Sequence, residues 1–354
     1  MSGNDQGAVV NSSTPNLAIT STIYDEEPIY LCQKSESLKF GATVVPFFYY
    51  TVFAISLLGN GLILYLLLRF ENIKTVTNLF IFNLVVSDLL FTVSLPFWGY
   101  YHSDQWIFGD GLCKVVSSVF YTGFYSSILF LTIMTVDRYM AVVHAIYAAR
   151  TRKLLYVYAA SSTIWIVSLF STVPKFFLYG TRDDAFAGIL CEETGYGLDK
   201  IKHWKEVGYY QQLIMFFLIP LAVILYCYAM IVVKLQHTKM HNKDKAMKLI
   251  FVIVFAFFLC WTPYNIVIFM KAKQLARDTL DEDCDSSIEY AFYICRNIAY
   301  FHCCINPFFY TFVGTKFRTH LSSFVGKWIM CGSRYRHSSW SSRTSEYSPQ
   351  TTYE

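Results

Sequence analysis

Three features of this chain predict an all-α membrane protein, a seven-transmembrane helix bundle. It is 55% hydrophobic and 18% aromatic but only 15% charged, with a mean hydropathy of +0.37, whereas a soluble domain carries about 25% charged residues. Seven apolar runs are each long enough to cross a hydrocarbon core of about 30 Å as a helix. The basic residues gather in alternate connections between those runs, as they do when one side of the membrane is cytoplasmic.

The spans follow in order. Apolar periodicity places them at about 43–68, 75–101, 112–142, 154–178, 206–236, 245–272 and 287–313. Spans three, five and six exceed what the bilayer needs, which predicts tilt or projection into the cytoplasm. Pro96, Pro174, Pro220, Pro263 and Pro307 fall inside spans, where membrane helices use proline as a kink.

Arg69 and Lys74 follow span one, Arg150, Arg152 and Lys153 follow span three, and Lys234, Lys239, Lys243, Lys245 and Lys248 follow span five. The opposite side holds the acids Asp25, Glu26, Glu27, Asp183, Asp184, Glu192, Glu193, Asp281, Glu282, Asp283 and Asp285. The N-terminus is therefore expected outside and the C-terminus inside. The chain divides into an extracellular tail (residues 1–42), the bundle (43–314) and, over 315–354, a short amphipathic helix followed by a cytoplasmic Ser/Thr-rich tail. Residues 1–40 are polar, without a basic start or short apolar core, so the first span is expected to export its own N-terminus. Asn11-Ser12-Ser13 is a glycosylation triplet on that outer side.

Of ten cysteines, Cys32, Cys113, Cys191 and Cys284 fall on the oxidising side. Four cysteines allow three pairings, and spacing does not choose among them. Cys227, Cys260, Cys295, Cys303 and Cys304 lie in spans and read as small buried apolar residues.

Two charges stand side by side in span three, Asp137 and Arg138. Each would cost about 2.5–3.5 kcal/mol at the bilayer centre on insertion scales, so intramembrane charge is read as functional. At the inner end of the span the two can pair and reach interfacial water. Asp88 is a lone carboxylate within span two, which calls for a proton, a cation or hydrogen-bond donors.

With N-terminus out and Asp137-Arg138-Tyr139 at the inner end of the third span, the chain resembles the rhodopsin-like (class A) G-protein-coupled receptors. The other marks of that family stand in their proper spans: Gly59-Asn60, Leu84-Val-Val-Ser-Asp88, Trp165, Pro220, Cys260-Trp261-Thr262-Pro263 and Asn306-Pro307-Phe-Phe-Tyr310. Phe317 stands where that family begins a short amphipathic helix 8 along the membrane. Ser94-Leu-Pro96-Phe-Trp98, Asp137-Arg-Tyr-Met-Ala-Val-Val-His144-Ala and His302-Cys-Cys-Ile-Asn306-Pro307 are similar to chemokine receptor elements. Within that group, Ile294-Cys295-Arg296-Asn297 and Phe312-Val-Gly-Thr-Lys-Phe-Arg-Thr-His-Leu321 look most like the XC (lymphotactin) branch, and Thr77-Asn78-Leu-Phe-Ile-Phe-Asn83-Leu84 points the same way. Ala145-Ile-Tyr147 and the inner loops also resemble CC receptors. Many chemokine receptors carry a glutamate where this chain has Arg296.

The resemblance implies a plasma-membrane receptor that binds a chemokine, lymphotactin-like by the XC reading, and activates a heterotrimeric G protein of the inhibitory Gα class. It implies outer disulfides Cys113–Cys191 and Cys32–Cys284. It implies an activation switch of Asp137, Arg138, Tyr139, Trp261, Pro263, Tyr228, Asn306, Pro307 and Tyr310, in which Arg138 leaves Asp137 for Tyr228 or Tyr310. Asp244 is the one acid at the start of span six to which Arg138 could lock. Asp88, Ser127 and Asn306 would hold an allosteric sodium ion, oxygen ligands suiting a hard cation; no other cofactor is expected.

Outside, the acidic, aromatic segment Tyr24, Asp25, Glu26, Glu27 and Tyr30 suits capture of a basic chemokine, and Tyr24 suits sulfation. Trp98, Phe120, Tyr121, Tyr264, Glu289 and Arg296 are candidates for the pocket that receives the chemokine's N-terminus. Inside, the basic loops can also meet anionic membrane lipids, and the Ser/Thr-rich tail suits receptor kinases and then arrestin. Cys331 is a candidate for palmitoylation. No nucleic-acid partner is expected.

Other classes fit poorly. The spans offer no carboxylate dyad and no His-Glu-x-x-His motif, so an enzyme is not expected. They show no repeated broken helices of the kind transporters use. A CC-type receptor and a scavenger that internalises chemokine without G-protein signalling are the alternatives within the family.

Overall fold

A computed structural model describes residues 35–151, 153–184, 188–194, 198–237, 243–276 and 286–313, without the side chains of 35–39, 198–199, 243–254, 286 and 308–313. The expected helix 8, Cys32, Cys284, Asn11 and the segment Tyr24–Tyr30 lie outside those residues, as do the side chains of Asp244 and Tyr310.

The first four expected spans appear as α1 (Ser35–Phe70), α2 (Val76–Ser103), α3 (Gly109–Val143) and, after the short loop helix α4 (Ala145–Thr151), α5 (Leu154–Leu178). The fifth is one rod made of α6 (Leu198–Leu213), a π-helical turn over Ile214–Leu218 and α7 (Ile219–Gln236). The sixth is α8 (Lys243–Ala276). Six of these rods are long and apolar enough to cross a membrane.

The seventh expected span is divided into α9 (Ser286–Tyr300) and α10 (His302–Val313). The break has a local cause. Phe301 N donates to both Asn297 O and Ile298 O at 3.2 Å, and Cys304 N reaches Phe301 O at 3.0 Å, tightening the turn to three-residue spacing.

Helix α3 is the axis of the bundle, packing on α2, α5 and α7, while α9 and α10 close the ring against α1 and α8. Small residues allow the closest approaches. A Cβ on Gly123 would stand 2.4 Å from Phe91 N and 2.8 Å from Ser87 O, so α3 and α2 can meet there only through glycine. Large apolar side chains cover the outside, among them Phe47, Leu58, Leu155 and Phe170. Such a surface would be an aggregation liability in water and is the lipid-facing side of a membrane bundle.

The sequence predicted no strand, yet β1 (Tyr179–Asp184) and β2 (Gly188–Glu193) form an antiparallel hairpin with Thr181 opposite Cys191. Cys191 is bonded to Cys113 near the start of α3. Alternation along β2 puts Cys191 and Glu193 on one face; the first is tied to α3 and the second pairs with Lys175 of α5. Gln105 Oε1 accepts from Ile189 N at 2.9 Å, and Asp110 Oδ1 accepts from Thr181 N at 2.9 Å. Gly188 has φ +71°, a conformation that favours glycine, and a Cβ there would push the Gln105 amide off Ile189 N. The hairpin is thereby pinned over the outer end of the bundle.

Candidate ligand cavity and activation core

The outer end encloses a cavity of about 280 Å³ beneath the hairpin. Of the candidates for a ligand pocket, Trp98, Phe120, Tyr121, Tyr264 and Arg296 line it. Glu289 does not line it, because Lys271 of α8 draws its carboxylate into a half-buried ion pair at 2.8 Å. Lys175, Glu193, Tyr179 and His102 also form the wall and were not anticipated. Lys175 and Glu193 make a short ion pair with side chains only 11% and 9% exposed, and the Lys175 ammonium stands 5.1 Å from the Tyr121 ring. Lys175 next to Pro174, a cation inside an apolar span, was the available sign.

An aromatic column descends from the cavity. Phe120 and Phe124 stack at 6.3 Å, and Phe124 meets Trp261 at 5.0 Å. Trp261, 1% exposed, lies against His302 of α10 with ring centroids 4.7 Å apart. Tyr125 stacks on Phe216 of the π-helical turn at 3.9 Å, so the extra residue in that turn aims a ring at α3. Pro263 lies two residues beyond Trp261, where α8 has no backbone donor.

Below Trp261 the polar groups of four helices interlock. Asp88 is fully buried; Ser127 Oγ donates to Oδ1 at 2.6 Å and Asn306 Nδ2 to Oδ2 at 2.8 Å. His302 accompanies them, with Nδ1 2.8 Å from Ala299 O and Nε2 3.4 Å from Ser127 Oγ.

Pro307 explains Gly59-Asn60. With no N–H at 307, the carbonyl of Cys303 has no helical partner, and Asn60 Nδ2 donates to it at 3.0 Å. A Cβ on Gly59 would meet the Pro307 ring at 3.1 Å, so glycine seats the ring against α1. The second Asn60 N–H goes to Ser56 Oγ, whose hydroxyl bonds Thr92 Oγ1 at 2.6 Å, and Thr92 in turn donates to the Asp88 backbone carbonyl at 2.6 Å. One chain of hydrogen bonds thus runs from α10 through α1 to α2. Trp165 joins α5 to α2 by donating to Asn83 Oδ1 at 2.9 Å.

At the inner end Asp137 is 3% exposed, Arg138 is half-buried beside it, and Tyr228 is buried next to Thr135. Tyr139 reaches His144 Nε2 at 2.9 Å. The expected switch residues with described side chains therefore fall into two groups. Asp137, Arg138, Tyr139 and Tyr228 lie toward the cytoplasmic end; Trp261, Asn306 and Pro307, with Pro263 beside Trp261, are connected through His302, Asp88 and Asn60 in the middle.

Residues 59–310 match the model of the "7 transmembrane receptor (rhodopsin family)". Human C-C chemokine receptor type 4 is 38% identical over 309 residues, covering 85% of this chain and 84% of its own length. The chain belongs to the chemokine receptor family. C-C chemokine receptor type 3 of Cavia porcellus is 37% identical over 86% of this chain and 85% of its own length. Human type 8 is 37% identical over 81% and 80%. The protein is thus a multi-pass plasma-membrane receptor and not an enzyme. The names of these relatives correct the subtype reading. They give the XC branch no support and fit the CC alternative better, since Arg296 and its neighbours are a few positions against an entire bundle.

Proposed function

We propose that this chemokine receptor is of the CC type, that the chemokine's N-terminus enters the outer cavity, and that the docked protein drives nucleotide exchange on an inhibitory-class Gα. The observation that carries the reading is continuity: the cavity wall at Phe120 runs through Phe124 to Trp261 and His302. A ligand that touches this wall differently in two packings shifts their populations. Separation of the inner helix ends would then move Arg138 between Asp137 and Tyr228. Asp88 and Ser127 offer hard oxygens for sodium, and Asn60 Oδ1 is a buried oxygen with no partner among the described residues. When bound, the cation would offset the Asp88 charge and favour the inactive packing. Phosphorylation of the tail by receptor kinases would supply arrestin's dock.

The test is a panel of purified chemokines, lymphotactin included, applied to the receptor in lipid nanodiscs with an inhibitory-class heterotrimer while nucleotide exchange is followed. Exchange with a CC chemokine supports the proposal. Uptake by cells without exchange would establish the scavenger reading instead. Response to lymphotactin alone would restore the XC branch, which Arg296 favours.

A further inference from the structure

The charges around the outer cavity do not balance locally. Glu192 accepts from Arg182 at 2.7 Å, Glu193 is held by Lys175, and Glu289 by Lys271. Arg296 and Lys205 also line the wall, and neither forms an ion pair with a carboxylate among the described residues.

The surroundings of Arg296 stabilise a cation without neutralising it. Its guanidinium carbon stands 4.9 Å from the Phe292 ring, 5.5 Å from Tyr293 and 5.6 Å from Tyr49. Nη2 lies 3.3 Å from His102 Nε2, which must accept, since the guanidinium only donates. Nε is buried with no partner among the described residues. Aromatic faces and a neutral imidazole hold the group in place, but they leave a desolvated charge and an orphan donor.

We propose that Arg296 anchors an anion subsite that takes a side-chain carboxylate from the ligand segment entering the cavity, with Lys205 adding positive potential at the wall. The inference rests on the reading of the cavity as the ligand's seat. A carboxylate can accept two parallel bonds from a guanidinium. A ligand whose inserted segment carries only its terminal amine meets like charge here and is disfavoured. The subsite therefore selects among chemokines by the acid near their N-termini.

Two measurements test this. In the first, whichever panel chemokine activates the receptor has each acidic residue of its N-terminal segment changed to the amide, and each is assayed on wild type and on Arg296→Gln. One amide substitution should weaken activation of the wild type roughly 10- to 100-fold, the worth of a charged hydrogen bond. It should add nothing on Arg296→Gln. Independent, multiplying losses would overturn the pairing.

The second needs no chemokine. Purified receptor is melted with benzoate or with neutral, isosteric benzamide. Benzoate should raise the Tm of the wild type but not of Arg296→Gln, and benzamide should raise neither. Absence of an Arg296-dependent benzoate shift overturns the subsite even if chemokine signalling is found. Its presence supports the subsite even if no panel member activates the receptor, a failure that counts against the proposed function alone.

Discussion

The bundle buries a carboxylate at its centre and a guanidinium near its outer end, and it treats them in opposite ways. Asp88 has a donor on each oxygen, both from its own chain, on helices α3 and α10. Arg296 has rings on three sides, one imidazole, and a buried Nε left over among the described residues. The first arrangement is closed: neighbours supply what the charge lacks, and helices α2, α3 and α10 are linked as a result. The second is open, and what would complete it must come from outside the described bundle. If the proposed subsite is correct, the contrast separates residues that make the bundle from residues that meet its ligand.

If the middle of the bundle is closed, intrusions there should do the most damage. Gly123→Val places its Cβ on the Phe91 and Ser87 backbone, which cannot yield as a side chain could. Loss of monodisperse, folded receptor on size-exclusion chromatography is expected. Recovery of a folded Gly123→Val protein with normal Tm would show that α2 and α3 do not meet there.

The hairpin stands between the two regimes. It was not legible as strands, since Tyr-Gly-Thr-Arg-Asp-Asp is poor in β-formers and the ladder depends on partners remote in sequence: Cys113, Gln105, Asp110 and Lys175. Glu193→Gln strands the Lys175 ammonium in a site with little water. A loss of about 3–5 kcal/mol is expected, as when one partner of a buried pair is removed. The double variant Lys175→Met/Glu193→Leu should regain most of it. Chemical denaturation of the two variants side by side checks both statements, and equal stabilities would contradict them.

What the sequence reveals follows the range of the interactions concerned. Spans one to six and their direction are legible because apolar length and loop charge are local properties. Gly59, Asn60 and Pro307 are visible as motif residues, but their shared purpose is not. It emerges only once α10 lies on α1, with Asn60 reaching the carbonyl that Pro307 leaves unpaired. Asn60→Leu should therefore cost about 1–3 kcal/mol, the desolvation of an orphaned carbonyl. Cys303→Ala should cost far less in the same denaturation assay, because Asn60 uses only the backbone at that position. The split of the seventh rod escaped notice for a similar reason. Phe301 is apolar and keeps the hydrophobic run intact, while the tightened turn is visible only in the backbone hydrogen bonds. At the cavity, aromatic side chains are legible as a group in the sequence but charge pairing is not: that Glu289 pairs with Lys271 depends on how α8 and α9 pack.

One expected effect, smaller than those of Gly123 and Glu193, has the opposite sign from all of these, which makes it the most discriminating. Removing Asn60 or Glu193 takes away a group that satisfies another. Removing the Arg296 charge takes away a group that no described carboxylate satisfies. Arg296→Met keeps most of the stem against Phe292 and Tyr293 but abolishes the desolvated cation and its orphan Nε. The empty receptor should therefore gain stability, by about 1 kcal/mol or more, as replacement of a poorly compensated buried polar group by an apolar one allows. A higher Tm without ligand, together with weaker activation by chemokine, is the signature of a site held ready at the expense of the fold. A lower Tm would mean that the three rings and His102 already satisfy the guanidinium, and that the outer end is as closed as the middle.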